Sequence, residues 1–327
     1  MRLARFAAVV TTACAASPAP PVEPASAPAL PPTTTIHPAA SRSPFPCPSR
    51  PQPIAQVLEP SLDELSGIVE SHGQPGVFFV HNDSGDSPRF FAIDLEGRLL
   101  AIFTLPSVPL LLDAEDIAVG PGPGGQRYVY LGDTGNNFAS MGLGIPRRKA
   151  VLYRIPEPNV RPGPRSREVP LEDVTPIVFT FPEGARDVEA FVIDPIAGDA
   201  LLISRQRDGR SQLLTATAAQ LAQGGGELQL AGRLVFGKPP LDGSPMPTSA
   251  DISADGSRVV VRTYSSVFAF DRRSDESLVS ALSRPPRHLA SPDEGQGEAI
   301  ALTDAGRAFV TIAEGRRPRI WCGAWQN

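Results

Sequence analysis

The residues best suited to chemistry recur along this chain rather than clustering in one motif. Ser66-Gly67-Ile68-Val69, Glu115-Asp116-Ile117-Ala118, Glu189-Ala190-Phe191-Val192, Thr248-Ser249-Ala250-Asp251 and Glu298-Ala299-Ile300-Ala301 each open on a hydroxyl or a carboxylate. The second position is small except at Asp116, and the third is bulky except at Ala250. As strands, the five segments therefore turn their first residues the same way. Three glutamates brought within about 5 Å repel by several kcal/mol in total, even at an effective dielectric of about 20. They need a counter-charge. A hard divalent cation, which takes about six to eight oxygens, supplies one, with Ser66 and Thr248 adding hydroxyls or backbone carbonyls. The set holds no histidine or cysteine, which favours calcium over zinc. The competing source of positive charge is arginine, Arg205 and Arg262 standing just after apolar runs.

A second group of polar residues follows the next strand of each repeat: His81-Asn82-Asp83-Ser84-Gly85-Asp86, Asp133-Thr134-Gly135-Asn136-Asn137, Arg205-Gln206-Arg207-Asp208, Arg262-Thr263-Tyr264 and Glu314-Gly315-Arg316. Any one of these satisfies a tight turn by local hydrogen bonds. Five at one level describe a ligand-binding rim, with His81, Asn82, Asp83, Asp133, Asn137, Arg205, Arg262 and Glu314 as its candidate residues. Arg205 and Arg262 are the natural contacts for a small anionic ligand, and a protein partner is the other occupant considered. Asp83 or Asp133 beside a bound metal is a candidate general base for phosphoester hydrolysis. Against catalysis, Asp83 and Asn136 would repel or merely solvate a polyphosphate, and the chain carries no nucleophile elbow, zinc helix or P-loop. No catalytic residue is assigned.

The elements that must position these residues are short. Val77–Val80, Phe90–Ile93, Tyr128–Leu131, Val151–Ile155, Ile177–Phe181 and Arg258–Arg262 read as strands between turns such as Asp94-Leu95-Glu96-Gly97. Ser211–Gln223 is the one stretch with helical periodicity. The first residues of the five repeats are separated by 49, 74, 59 and 50 positions, room for a four-stranded blade each. The fold predicted is all-β, a five-bladed β-propeller over residues 54–327, with first strands lining a central channel. The 74-residue interval leaves room for a degenerate repeat, hence for six or seven blades. The last repeat is too short for four strands, and Gln52–Glu59 is the segment predicted to complete it. That closure brings Cys47 near Cys322, in favour of a disulfide across the seam, with two unrelated thiols as the alternative.

Composition sets the surroundings. Thirty-five acidic and 30 basic residues give a net charge of −5, and the few basic runs lie beside prolines, which argues against nucleic acid. Thirteen of the 37 prolines fall between Ala15 and Pro53, a segment without an apolar face and so a disordered linker. Ahead of it, residues 1–14 combine Arg2 and Arg5 with a short apolar run ending at Cys14, the layout of an export signal. Val10-Thr11-Thr12-Ala13-Cys14 resembles a bacterial lipobox, so that lipidated Cys14 would anchor an extracytoplasmic, monomeric head to a membrane. A plain secreted chain and a cytoplasmic one with a chance apolar start are the alternatives.

The order Ser66, Glu115, Glu189, Thr248, Glu298 resembles that in the calcium-activated nucleotidase (apyrase) family, five-bladed propellers whose channel calcium is ligated by Ser, Glu, Glu, Ser and Glu. The resemblance implies that these five residues ligate calcium, with Thr248 departing from the pattern. Leu65-Ser66-Gly67-Ile68, His81-Asn82-Asp83-Ser84-Gly85-Asp86, Gly132-Asp133-Thr134-Gly135-Asn136-Asn137 and Gly297-Glu298-Ala299-Ile300 also resemble an uncharacterised family of exported bacterial propellers. That likeness implies fold and compartment. The expected function is a binding or scaffold module with a structural metal, and the alternative is a calcium-dependent phosphohydrolase.

Overall fold

Apolar residues alternating to both faces of short strands need a cover on each side, and a ring of sheets provides it. The computed structural model describes residues 47–137, 146–160, 167–236 and 245–325. Cys14 and the expected export segment, with most of the proline-rich stretch, lie outside them. The described strands form five antiparallel blades. The first is β2 (Leu65–Glu70), β3 (Phe78–Asn82), β4 (Arg89–Ile93) and β5 (Leu99–Thr104); the second is β6 (Ala114–Pro121), β7 (Arg127–Asp133), β8 (Lys149–Pro156) and β10 (Thr175–Thr180). The third is β11 (Val188–Ile193), β12 (Ala200–Ser204), β13 (Arg210–Ala216) and β15 (Gln229–Val235); the fourth is β16 (Pro247–Ile252), β17 (Arg258–Thr263), β18 (Val267–Asp271) and β19 (Arg287–Leu289). In the fifth, β20 (Gly297–Thr303), β21 (Ala308–Ala313) and β22 (Arg319–Ala324) are completed by β1 (Gln52–Gln56).

Five apolar clusters fill the five seams between neighbouring blades. Phe79 and Phe90 pack toward the second blade with Ile117 and Val129, while their chain neighbours Phe78 and Phe91 pack toward the fifth with Val310 and Ile320. Strand alternation thus divides each blade between two seams. β2, β6, β11, β16 and β20 pack side by side as the inner ring.

The closing seam pairs Gln52 with Cys322 and Gln56 with Arg319. Cys47 and Cys322 are disulfide-bonded across it, with Cα atoms 5.3 Å apart. The strand there ends at Gln56, short of the expected Glu59, and the folded region starts before residue 54, since Gln52 and Pro53 already pair with the last strand. The expected helix over Ser211–Gln223 is corrected: Arg210–Ala216 is strand, and only α1 (Ala218–Gln223) is helical, begun by Thr217 and Gln220 as a capping box. Within Arg210–Ala216, Leu213 packs in the seam with the fourth blade and Leu214 and Ala216 in the seam with the second, a strand alternation that helical spacing mimics over so short a span.

The 74-residue interval holds no sixth blade among its described residues. Its extra length includes β9 (Arg167–Pro170), which leaves the second blade's connection and pairs in parallel with β5 of the first. The third blade likewise contributes β14 (Gly225–Glu227), parallel to β10 of the second. In the fourth, α2 (Leu278–Leu282) packs Leu278 and Leu282 with Leu234 and Phe236 of the third.

Candidate functional site

One backbone irregularity is common to all five blades. Pairing between first and second strands passes from Leu65↔Asn82 to Gly67↔His81, from Ala114↔Asp133 to Asp116↔Gly132, and from Val188↔Ser204 to Ala190↔Ile203. In the last two it passes from Pro247↔Thr263 to Ser249↔Arg262 and from Gly297↔Ala313 to Ala299↔Ile312. The residue skipped each time is Ser66, Glu115, Glu189, Thr248 or Glu298. A β-bulge re-aims the side chain it carries, so equivalence of the five positions resides in the backbone as well as in residue type.

Ser66, Glu115, Glu189 and Glu298 line one cavity of about 190 Å³ with Asp83, Asn137, Arg205, Tyr264, Gln296 and Glu314. Thr248 is not among its lining residues; its hydroxyl donates to the Gly297 carbonyl at 3.1 Å, as the Ser66 hydroxyl donates to the Glu115 carbonyl at 2.8 Å. Both hydroxyls thus tie one bulge to the next blade.

Of the eight rim candidates, Asp83, Asn137, Arg205 and Glu314 reach the mouth and four do not. His81 is fully buried, its Nε2 facing the Gly67 backbone with no hydrogen-bond partner among the described residues; burial lowers its pKa to about 4, keeping the ring neutral. Asn82 donates to Ser61 O at 2.7 Å and to Asp86 at 2.9 Å. Asp133 is paired with Arg147 at 2.8 Å. Arg262 is buried beneath Gly297 and paired with buried Glu294. In four blades the residue directly after the second strand reaches the mouth, as Asp83, Arg205, Tyr264 and Glu314 do; in the second blade that residue, Thr134, bonds the Val188 carbonyl, and Asn137 reaches the mouth instead.

Two acidic triads converge on the mouth and share Glu115: Asp83, Asp113 and Glu115, and Glu115, Asp187 and Glu189. Within each triad, one ligand atom per residue lies within 4.8 Å of the others. Asp113 and Asp187 escaped the sequence reading. Both stand two residues before a bulge glutamate, in Asp113-Ala114-Glu115 and Asp187-Val188-Glu189, so a repeated Asp-x-Glu was the available signal. Gly135 runs beneath the first triad so closely that a Cβ there would collide with Glu115 and Asp113.

Burial raises the carboxyls of Glu115 and Glu189 well above the ordinary range. For Glu115 the charges of Glu189, Asp83 and Asp113 push the same way, and Arg205 opposes them. Burial also moves Asp83 up to about 6 and Glu298 up to about 7. Burial works against the charge of Arg205, but Glu189, Asp187 and Glu115 outweigh it. The guanidinium lies 2.7 Å from Asp187 and 2.8 Å from Glu189 and also bonds Asn137. Arginine pairing is therefore real for Glu189, while Arg262 is committed to Glu294.

Below the mouth the channel is crossed by Asp116. Phe191 N–H and Ala250 N–H donate to its Oδ2, both at 3.1 Å; Ile117 N–H and the Ser249 hydroxyl donate to Oδ1, both at 3.0 Å. One side chain thereby joins the second, third and fourth blades. The acidic cavity above it opens on the rim.

No family model matches the chain, and no curated protein matches it, so neither resemblance drawn from the sequence gains support. Among solved structures, the hydrazine synthase of Kuenenia stuttgartiensis is 12% identical, with a TM-score of 0.38 over 78% of this chain and 56% of that one. A chain of a nidogen/laminin complex is 12% identical, with a TM-score of 0.42 over 77% of this chain and 73% of that one. The protein thus spans little more than half the length of the hydrazine synthase chain, and likenesses this distant carry no functional weight.

Proposed function

We propose that this chain is an exported, lipid-anchored propeller whose channel mouth holds a divalent cation, calcium by donor chemistry, and serves as a binding or scaffold module. The observation that carries the cation is the convergence of two acidic triads on Glu115. Their donors are all carboxylate oxygens, which suit a hard cation. Among the described residues, Arg205 is the cation paired with either triad. The anchor rests on residues 1–14 of the sequence alone. A phosphohydrolase finds less support, because Arg205 and Arg262, the groups expected to meet a phosphate, are both bound to carboxylates.

The test is thermal melting of the purified chain in calcium and in chelator, with elemental analysis. A ligand that binds only the folded state adds RT ln(1 + [L]/Kd), about 2.7 kcal/mol at a hundredfold excess over Kd. The expected result is a melting temperature raised by calcium and lowered by chelator. An indifferent melting curve with a metal-free analysis rejects the cation. Phosphate release from a panel of nucleotides and phosphomonoesters, with and without calcium, is expected to stay at background. Cys14→Ser is expected to release the protein from membranes; unchanged membrane retention rejects the anchor.

A further inference from the structure

The two triads share a residue but differ in what already occupies them. In the Glu115–Asp187–Glu189 set, Arg205 Nε donates to Asp187 at 2.9 Å, and Arg205 Nη1 lies 2.8 Å from Glu189 Oε1. That Glu189 oxygen is buried and makes no hydrogen bond among the described residues, where the guanidinium's charge answers it. The arginine is held from four sides, Asn137 and the Tyr264 hydroxyl accepting its remaining donors. A positive group thus already sits where three carboxylates converge.

In the Asp83–Asp113–Glu115 set the contacts are neutral. Asn137 N–H donates to Asp113 at 2.7 Å, and the Asn137 amide reaches Asp113 at 3.2 Å and Glu115 at 3.3 Å. The neighbouring Arg147 is engaged by Asp133 and by the Gly135 carbonyl. Among the described residues no arginine or lysine is ion-paired with Asp83, Asp113 or Glu115. Gly135 lets the backbone pass under these carboxylates, where any side chain would fill the space between them.

Building on the cation-binding reading, we infer that Arg205 is a resident cation occupying the Glu115–Asp187–Glu189 triad, so that the mouth takes one divalent ion, at Asp83, Asp113 and Glu115. Removing the guanidinium turns the site into a two-ion centre bridged by Glu115. The chain's own arginine thereby sets both stoichiometry and place, and the ion sits to the first-and-second-blade side of the channel axis.

Calcium bound per chain, counted by equilibrium dialysis on the full chain, tests this. The expected counts are one for the wild type, none for Asp113→Asn, one for Asp187→Asn, two for Arg205→Gln and one for Arg205→Gln combined with Asp187→Asn. Arg205→Gln remaining at one ion, Asp187→Asn losing its ion as Asp113→Asn does, or a wild type holding two ions each overturns the role of Arg205 while leaving the cation reading intact. A wild type that binds no calcium overturns both. Should Arg205→Gln fail to fold with Asp187 and Glu189 uncompensated, the Asp113→Asn and Asp187→Asn pair, which keeps the arginine, decides.

Discussion

Glu115 and Asp116 are consecutive, both buried and both acidic, and the protein treats them in opposite ways. Asp116 receives four donors from three blades, enough to satisfy both oxygens of a carboxylate. Among the described residues Glu115 receives one amide, at 3.3 Å, and faces Asp83, Asp113 and Glu189. The fold therefore has the means to satisfy a buried carboxylate at this depth, and one residue away it withholds them. A carboxylate saturated by donors from three blades is part of the frame; one left among like charges is where the proposed cation gains most by binding.

The contrast can be broken most forcefully at its structural half. Asp116→Ala leaves two interblade N–H groups, the Ile117 N–H and the Ser249 hydroxyl without their acceptor, and unmet buried donors cost about 1–3 kcal/mol each. A loss of about 4 kcal/mol is expected from urea unfolding, with calcium binding falling only as the fold itself weakens. Asp251 lies between the extremes, accepting from Ile252 N–H at 2.8 Å and Leu302 N–H at 2.7 Å, with burial raising its pKa from 3.8 to about 8. The native state then holds a proton that the unfolded chain releases, so this residue's contribution is full below about pH 4 and is lost as pH rises toward 8. Asp251→Asn is expected to flatten that slope, gaining most over the wild type at pH 8–9 in urea midpoints read across pH.

Smaller effects sharpen the functional half. Glu115→Gln removes one repelling charge and is expected to stabilise the chelated protein by about 1–2 kcal/mol while abolishing the calcium-dependent rise in melting temperature. A loss of stability in chelator would place Glu115 with Asp116 as a framework residue. Ser66→Ala and Thr248→Val each delete one interblade hydrogen bond, about 1 kcal/mol, and should leave calcium affinity unchanged. A tenfold loss of affinity in either would return these hydroxyls to the ligand set.

Much of this was legible in the sequence because repetition multiplies a weak signal. Single segments such as Glu298-Ala299-Ile300 say little, but five of them at blade-length spacing specified the blades, the inner ring and the closing strand. What escaped depends on neighbours in space. No local feature of Arg205 and Arg262 tells that one reaches the mouth and the other lies under Gly297 against Glu294; the deciding difference is register, one residue beyond the second strand or inside it. The bulge is equally silent, since it reads as ordinary alternation. Asp116 was visible only as the exception to a small second position, and that exception proved to span the channel.

The parallel strands that the first and second blades each receive from the next blade bear on how this protein keeps company with copies of itself. A sheet edge with a full row of free N–H and C=O groups is a template for a foreign strand. β5 and β10 would each present such a row, and instead they are capped by β9, ending in Pro170, and by β14, opening with Gly225 and Gly226. Three or four residues containing proline or glycine make a poor template. At these two edges, a neighbouring copy finds little to extend.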